Sequence, residues 1–311
     1  MSAAVLTSTL GMDRAEWLEA RKRGIGGSDA AAIAGLSKWR SPMAVYLDKI
    51  GALEPEEAGE AALWGTKLED LVAREFSERT GYRVQRRNAI LQHPDYPFML
   101  ANIDRYVFTP EGRALLECKT TSAYNADAWA DDRIPDEYVL QVQHYLAVTG
   151  LQTGYIAVLI GGQRYSHKRI ERDEEIIKYL IQIESDFWRL VENRTPPEMD
   201  GSDSSAQVLS LLYPESVPDS SIELPGEAEL LIAEYEAAQQ DEKAAAERKN
   251  EAANKLKALL GDYETGIVAE RRVSWKTVSS SRLDTKALKK DKPDIYEQYA
   301  RESVSRRFAI K

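Results

Sequence analysis

Residues 98–121 read FMLANIDRYVFTPEGRALLECKTT, two runs of alternating apolar side chains joined by Thr-Pro-Glu-Gly, a turn signal. This stretch constrains the chain more than any other, because a strand has a side-chain period of two and a short turn fixes which residues face each other. With the turn centred between Pro110 and Glu111, Asp104 falls directly opposite Glu117. Opposed Cβ atoms lie roughly 4.5–5.5 Å apart. Alternation then sends Lys119 to the face of Glu117 and Cys118 to the other. Two carboxylates and an ammonium therefore meet on one patch.

Like-charged carboxylates side by side are costly unless a cation lies between them. Magnesium suits such a pair, being hard, oxygen-seeking and commonly held by one or two carboxylates with water and phosphate oxygens completing the octahedron. Glu69, at the edge of an apolar helical face, could add another carboxylate. The competing reading is a surface hairpin whose Glu-x-Lys is an ion pair.

Elements on either side follow from periodicity. Asp13 and Glu16 have capping-box spacing, opening a first helix that carries Trp17, Leu18 and Arg21. The run GIGGSDAAAIAG follows, with Ser28 expected to cap a short helix closed by Gly35. Ser41-Pro42 starts a helix ending at Gly51, and residues 62–80 form another, stopped by Gly81. Strands are expected at 83–91, 98–108, 114–120, 154–161 and 164–171, and helices at 136–149 and 173–193. The result is an α/β domain over 1–201 with a mixed central sheet flanked by helices.

A Ser-rich stretch with Pro214 and Pro218 marks a linker at 202–222, leaving 223–311 as a C-terminal extension. That extension has a long helix at 225–260, with Leu231, Ala238, Ala245, Ala252 and Leu259 every seven residues, and a small α+β part, a strand at 267–278 and a helix at 284–299.

Composition excludes several classes. The net charge is -10, split into about -7 for residues 1–201, -10 for 202–270 and +7 for 271–311. Residues 14–49 are also locally basic, through Arg14, Arg21, Lys22, Arg23, Lys38, Arg40 and Lys49. Two basic patches could meet phosphate on an acidic molecule. A single cysteine, Cys118, and three histidines leave no disulfide and no His- or Cys-built zinc site, so any metal is held by carboxylates. No apolar run approaches a membrane span and no basic, apolar leader opens the chain, so no membrane partner and a cytoplasmic location are expected.

Asp104 followed by Glu117-Cys118-Lys119 resembles the PD-(D/E)xK nuclease signature, with Ile103 where proline often stands. The order WLEARKRGIGGSDAAAIAGLSKWRSP, WGTKLEDLVAREFSERTG, ANID, ECK and QVQHYLAVTG resembles the lambda exonuclease or YqaJ-type viral recombinase family, from about Trp17 to Pro197. That resemblance implies a restriction-endonuclease-like fold and Mg²⁺-dependent digestion of linear double-stranded DNA from its ends, 5′ to 3′, with Mn²⁺ as a substitute. It also implies a phage or prophage recombination system in a bacterial cytoplasm, a homotrimer and a single-strand annealing protein as companion.

Residue by residue, Asp104, Glu117 and the backbone carbonyl of Cys118 match metal ligands, Lys119 the catalytic lysine and Glu69 the helical glutamate. Arg21 and Ser28 fall where the family binds the terminal 5′-phosphate, which a serine hydroxyl and an arginine fork can do on physical grounds. Asn102 is expected on the strand face of Asp104, near the same phosphate. Gln141 and Tyr145, four apart, share one helical face and match a further element of the site. Trp39, Trp64 and Trp129 are expected in the core or lining the groove, with Trp39 between two cations also able to stack on a base. The alternatives are an endonuclease of the same fold and a non-catalytic DNA-binding or assembly protein.

Overall fold

The computed structural model describes residues 3–53, 59–301 and 305–310. In its first unit, Met1–Leu212, the chain runs β1 (Ala4–Ser8), α1 (Arg14–Arg21), β2 (Ile25–Gly26), α2 (Gly27–Ile33), α3 (Pro42–Lys49) and α4 (Glu60–Thr80). There follow β3 (Arg83–Arg86), β4 (Ala89–Gln92), β5 (Met99–Ala101), β6 (Arg105–Thr109) and β7 (Gly112–Thr121). A 3₁₀ turn at Ala123–Trp129 leads to α5 (Asp136–Thr149), β8 (Thr153–Ile160), β9 (Arg164–Glu171), α6 (Glu174–Glu192) and α7 (Asp203–Leu212).

Five strands form the main sheet in the order β3-β6-β7-β8-β9. Only β7 and β8 are parallel, joined through α5, so the sheet is mixed as expected. Its faces are covered by different helices. Val72, Ala73 and Phe76 of α4 pack with Val107, Leu116, Tyr155 and Ala157 on one side, while Val142, Tyr145 and Leu146 of α5 pack with Leu115, Ile156 and Val158 on the other. Alternation along β7 therefore aims Leu115, Glu117 and Lys119 toward α5, and Leu116 and Cys118 toward α4.

Many boundaries follow the expected signals. Asp13 and Glu16 form a capping box on α1, Ser41 caps α3, and Gly81 ends α4 in the left-handed conformation. The strand expected at 98–108 is instead two strands of different sheets. Its first part, β5, lies in a second sheet of order β1-β4-β5-β2, and β6 joins the main one. Residues 102–104 cross between them, which frees the Asp104 side chain to accept a hydrogen bond from the Cys118 amide across the hairpin (2.8 Å). Residues 83–91 split at Arg87-Asn88 for the same reason, with β3 in the main sheet and β4 in the second.

Ser28 does not cap α2. Gly26 does, with Asp29 accepting from its amide (3.1 Å). The expected linker begins as a helix, since Asp203–Leu212 is α7 and its Val208 is buried with Met43, Val45 and Phe187. Among the tryptophans, Trp129 is buried while Trp39 and Trp64 are exposed, so Trp39 and Trp64 are not core positions, and Trp39 lines a cleft with Arg14 and Arg40.

The second unit, Tyr213–Lys311, contains α8 (Ala228–Leu260), a hairpin of β10 (Thr265–Val268) and β11 (Arg271–Ser274), and helices α9 (Thr285–Asp291) and α10 (Pro293–Tyr299). The single strand expected at 267–278 is thus a hairpin, and Pro293 divides the expected last helix in two. Among the described residues no helix is long and apolar enough to cross a membrane.

Candidate active site

The register of the central hairpin pairs Arg105 with Leu116 and Tyr106 with Leu115, so Asp104, one residue beyond the ladder, comes opposite Glu117. Both carboxylates line one cleft of about 340 Å³. The same cleft is lined by Arg21, Gly27, Ser28, Glu69, Arg86, Arg87, Asn102, Gln141 and Tyr145. Every candidate site side chain that the sequence put forward, apart from Cys118 and Lys119, thus contributes to a single wall.

Lys119 stands just behind that wall. Its Nζ lies 2.8 Å from Glu117 Oε1 and donates to Gln141 Oε1 at 2.9 Å. Gln141 Nε2 in turn donates to Glu117 Oε1 (2.7 Å) and to the Tyr145 hydroxyl (3.0 Å). One glutamine on α5 therefore ties the Glu and the Lys of β7 together. Burial disfavours the Lys119 ammonium, but Glu117 outweighs it and the pKa moves up, so this amine is protonated at neutral pH. Tyr138 lies under it, with the ring centroid 4.9 Å from Nζ.

Asp104 is under the opposite pressure. Burial first, then the charges of Glu117 and Glu69, push its pKa well above the ordinary carboxylate value, against the pull of the Cys118 amide. Glu117 Oε2 is buried and, among the described residues, has no hydrogen-bond partner. A buried carboxylate oxygen without a donor is costly, and here it stands beside a second carboxylate that resists ionising. This is the arrangement a divalent cation would satisfy. Among the described residues no three His, Cys, Asp or Glu side chains form a ready-made ligand cluster. Two carboxylates with open positions fit magnesium rather than a closed structural site.

Glu69 reaches the cleft but is engaged elsewhere, since its Oε1 accepts from Arg105 (2.6 Å) and lies 3.4 Å from Arg86. Arg105, nearly fully buried, also donates to the Asp104 carbonyl (2.8 Å) and pairs with Asp70. The Cys118 side chain faces α4 as expected, and burial followed by Asp104 pushes its thiol pKa well up, so it is no nucleophile.

At the other end of the cleft Arg21 donates to the Ser28 hydroxyl (2.7 Å), and its guanidinium lies 4.7 Å from the Trp17 ring centroid. Gly27 permits this closeness to α5, because a Cβ there would run into the ring of Tyr145. Asn102 lines the cleft from the crossover segment rather than from a strand.

Asp29 is the residue that sequence reasoning overlooked. It is fully buried, with Arg40 at 2.7 Å, Lys49 at 2.7 Å and Arg21 at 3.9 Å. Burial alone would raise its pKa, but Lys49, Arg21 and Arg40 together hold it far below the usual range. Its place three residues after Gly26 was a readable capping signal. Arg105 and the Arg86-Arg87 pair were missed as well, and only that basic doublet, inside the single strand expected at 83–91, was visible in sequence.

A family model described as the YqaJ-like viral recombinase domain matches residues 16–152, a span that contains every candidate site residue. A Bacillus subtilis (strain 168) protein named YqaJ is 42% identical over 313 residues, covering 99% of this chain and 98% of that protein. The chain belongs to the YqaJ-like viral recombinase family. Its likeness to the B. subtilis protein extends through the second unit, beyond the family domain. Among solved structures, the alkaline exonuclease LHK-Exo from Laribacter hongkongensis aligns with a TM-score of 0.50 at 24% identity, over 58% of this chain and 94% of that one. The mixed sheet flanked by helices is therefore shared with that exonuclease.

Proposed function

We propose that this YqaJ-family chain is a metal-dependent exonuclease acting on linear double-stranded DNA from 5′-phosphorylated ends, within phage-type recombination. The observation that carries the proposal is one cleft holding two converging carboxylates, a partnerless buried oxygen on one of them, and an arginine-serine pair. The fold shared with LHK-Exo, an alkaline exonuclease, supports the reaction class.

Asp104, Glu117 and the Cys118 carbonyl are the proposed ligands of Mg²⁺, for which Mn²⁺ would substitute. Such an ion lowers the pKa of a bound water and offsets charge on the phosphoryl oxygens. The protein's own groups do the rest. Lys119, held between Glu117 and Gln141, orients the attacking water or stabilises the developing charge. Gln141 keeps both side chains aligned. Glu69, fixed by Arg105, adds negative charge at the edge and is the residue least free to bind metal directly.

Arg21 and Ser28 supply a fork and a hydroxyl for a terminal phosphate, with Arg86 and Arg87 on the same cleft to meet further phosphates. Among the described residues, buried Arg87 Nε has no hydrogen-bond partner, which suits it to an anion. A dedicated end-phosphate site favours an exonuclease over an endonuclease.

The test compares linear with closed circular duplex, and 5′-phosphate with 5′-hydroxyl ends, in Mg²⁺. Digestion of linear DNA alone, faster from phosphorylated ends, is expected. Cutting of circles at an equal rate would overturn the exonuclease reading.

A further inference from the structure

In the second unit the 33 residues of α8 lie almost bare. Leu231, Leu256 and Leu259 are exposed, Tyr235 is half-exposed with its ring edge-on to Phe308 of the same unit (centroids 5.6 Å), a contact that pairing through Tyr235 would replace, and Leu260 is the only buried residue among those described from 213 onward. A helix of this length spans about 50 Å. Isolated helices draw most of their stability from packing an apolar face, so a partner for this one is expected.

Its charges say which. Glu229, Glu234, Glu236, Asp241 and Glu242 occupy the first half, and Arg248, Lys249, Lys255 and Lys257 dominate the second. Along the seam, Leu231, Ala238, Ala245, Ala252 and Leu259 alternate with Tyr235, Glu242, Lys249 and Leu256. A second copy laid parallel in register would set Glu242 against Glu242 and Lys249 against Lys249. Turned antiparallel, it lays the acidic half on the basic half.

Three antiparallel registers keep most of the helix overlapped, with Tyr235 facing Ala245, Ala252 or Leu259 of the other copy. Facing Ala245, the pair brings Asp241 beside its own copy; facing Leu259, it brings Arg248 beside its own copy. Only the middle register avoids both clashes. There Leu231 faces Leu256, Tyr235 faces Ala252, and both Glu242 and Lys249 face alanines, past which long stems reach water. On the flank Glu234 meets Lys255 and Asp241 meets Arg248, each twice by symmetry. Lys255 now pairs with Glu251 on its own helix (2.5 Å), an exposed contact that is readily exchanged.

We propose that α8 pairs antiparallel with α8 of a second copy of this chain, about a twofold axis between Lys243 and Ala244. Assemblies then contain an even number of copies, and any odd ring of nuclease units is doubled.

The experiment uses the full chain and reads mass in solution. The unaltered protein should run at an even multiple of 35.0 kDa. Glu234→Lys with Asp241→Lys should halve that mass, as should Arg248→Glu with Lys255→Glu. Mixing the two double variants should restore it, because each then meets opposite charges. Orientation is read by disulfide trapping. Leu231→Cys and Leu256→Cys should cross-link when mixed and not alone, in a chain whose one native cysteine is Cys118. An odd multiple, masses insensitive to charge reversal, failure of mixing to restore, self-cross-linking of Leu231→Cys, or pairing only with a different protein would each overturn the proposal.

Discussion

Replacing Asp104 by Asn should make the metal-free protein more stable and catalytically dead. Asn keeps the shape and can still accept from the Cys118 amide through its carbonyl oxygen, as Asp104 Oδ2 does at 2.8 Å. Its amide group can then donate to the buried Glu117 Oε2, which has no partner in the native site. Relieving an unsatisfied buried acceptor is worth about 1–3 kcal/mol, and in a unit of 150–250 residues that is roughly 2–12 °C in melting temperature.

The pH dependence fixes the sign. Asp104 has a folded pKa raised above its ordinary 3.8, so its protonation stabilises the fold at low pH and that contribution is lost as the pH rises through the folded value. The advantage of Asn should therefore be greatest at neutral and alkaline pH and shrink as the pH falls. Added Mg²⁺ or Mn²⁺ at about 100 times its Kd should stabilise the native protein by about 2.7 kcal/mol and the variant far less. Thermal unfolding in chelator and in cation, over a pH series, measures all of this. A variant that melts below the native protein in chelator, or that gains as much from the cation, would refute the reasoning.

Lys119→Ala should abolish cleavage while leaving duplex binding within a few-fold of native, measured by gel digestion and by fluorescence anisotropy in Ca²⁺. Arg21→Ala should remove the preference for 5′-phosphorylated ends, read as convergence of the digestion rates for phosphate and hydroxyl ends. Asp29→Asn leaves Arg40 and Lys49 without their shared counter-charge, and breaking such a buried pair costs about 3–5 kcal/mol, which thermal unfolding should report. Because the Asp29 pKa is lowered on folding, its stabilisation is present above the unfolded value of 3.8 and lost as the pH falls below it, so the variant's deficit should narrow only in acid.

The sequence made the chemical pair legible because a hairpin's register is local. Thr-Pro-Glu-Gly sets the turn, and the turn alone places Asp104 across from Glu117 and Lys119 beside it. The helical partner Gln141 was put forward by the family resemblance, and its spacing from Tyr145 said only that the two share a helical face, where the structure hydrogen-bonds them. What stayed hidden depends on contacts between distant segments. The break of residues 98–108 into strands of two sheets leaves no local mark, since apolar alternation continues through Asn102-Ile103-Asp104 while the hydrogen-bond partners change. Nothing local marks Arg105, inside the strand expected at 98–108, as a buried cation, yet Glu69 and Asp70, some 35 residues earlier, draw it inward. The helix α7 was masked by serines, two of which prove to be buried against α3 and the Asp200 turn.

Two buried carboxylates in the same domain show how charge balance separates structure from chemistry. Asp29 has three cations around it and an amide on its second oxygen, and its pKa falls far below normal; nothing about it invites a ligand. Asp104 has one amide donor, two carboxylate neighbours and Lys119 as its foremost counter-charge, and its pKa rises. Arg105 could have relieved that excess, but it is committed to Glu69 and Asp70 on the helix side. The deficit of positive charge is therefore local to the Asp104–Glu117 pair, even though arginines line the rest of the cleft. A fold selected for stability alone would have no reason to leave Glu117 Oε2 bare while placing three cations around Asp29, the residue next to Ser28 of the same cleft wall.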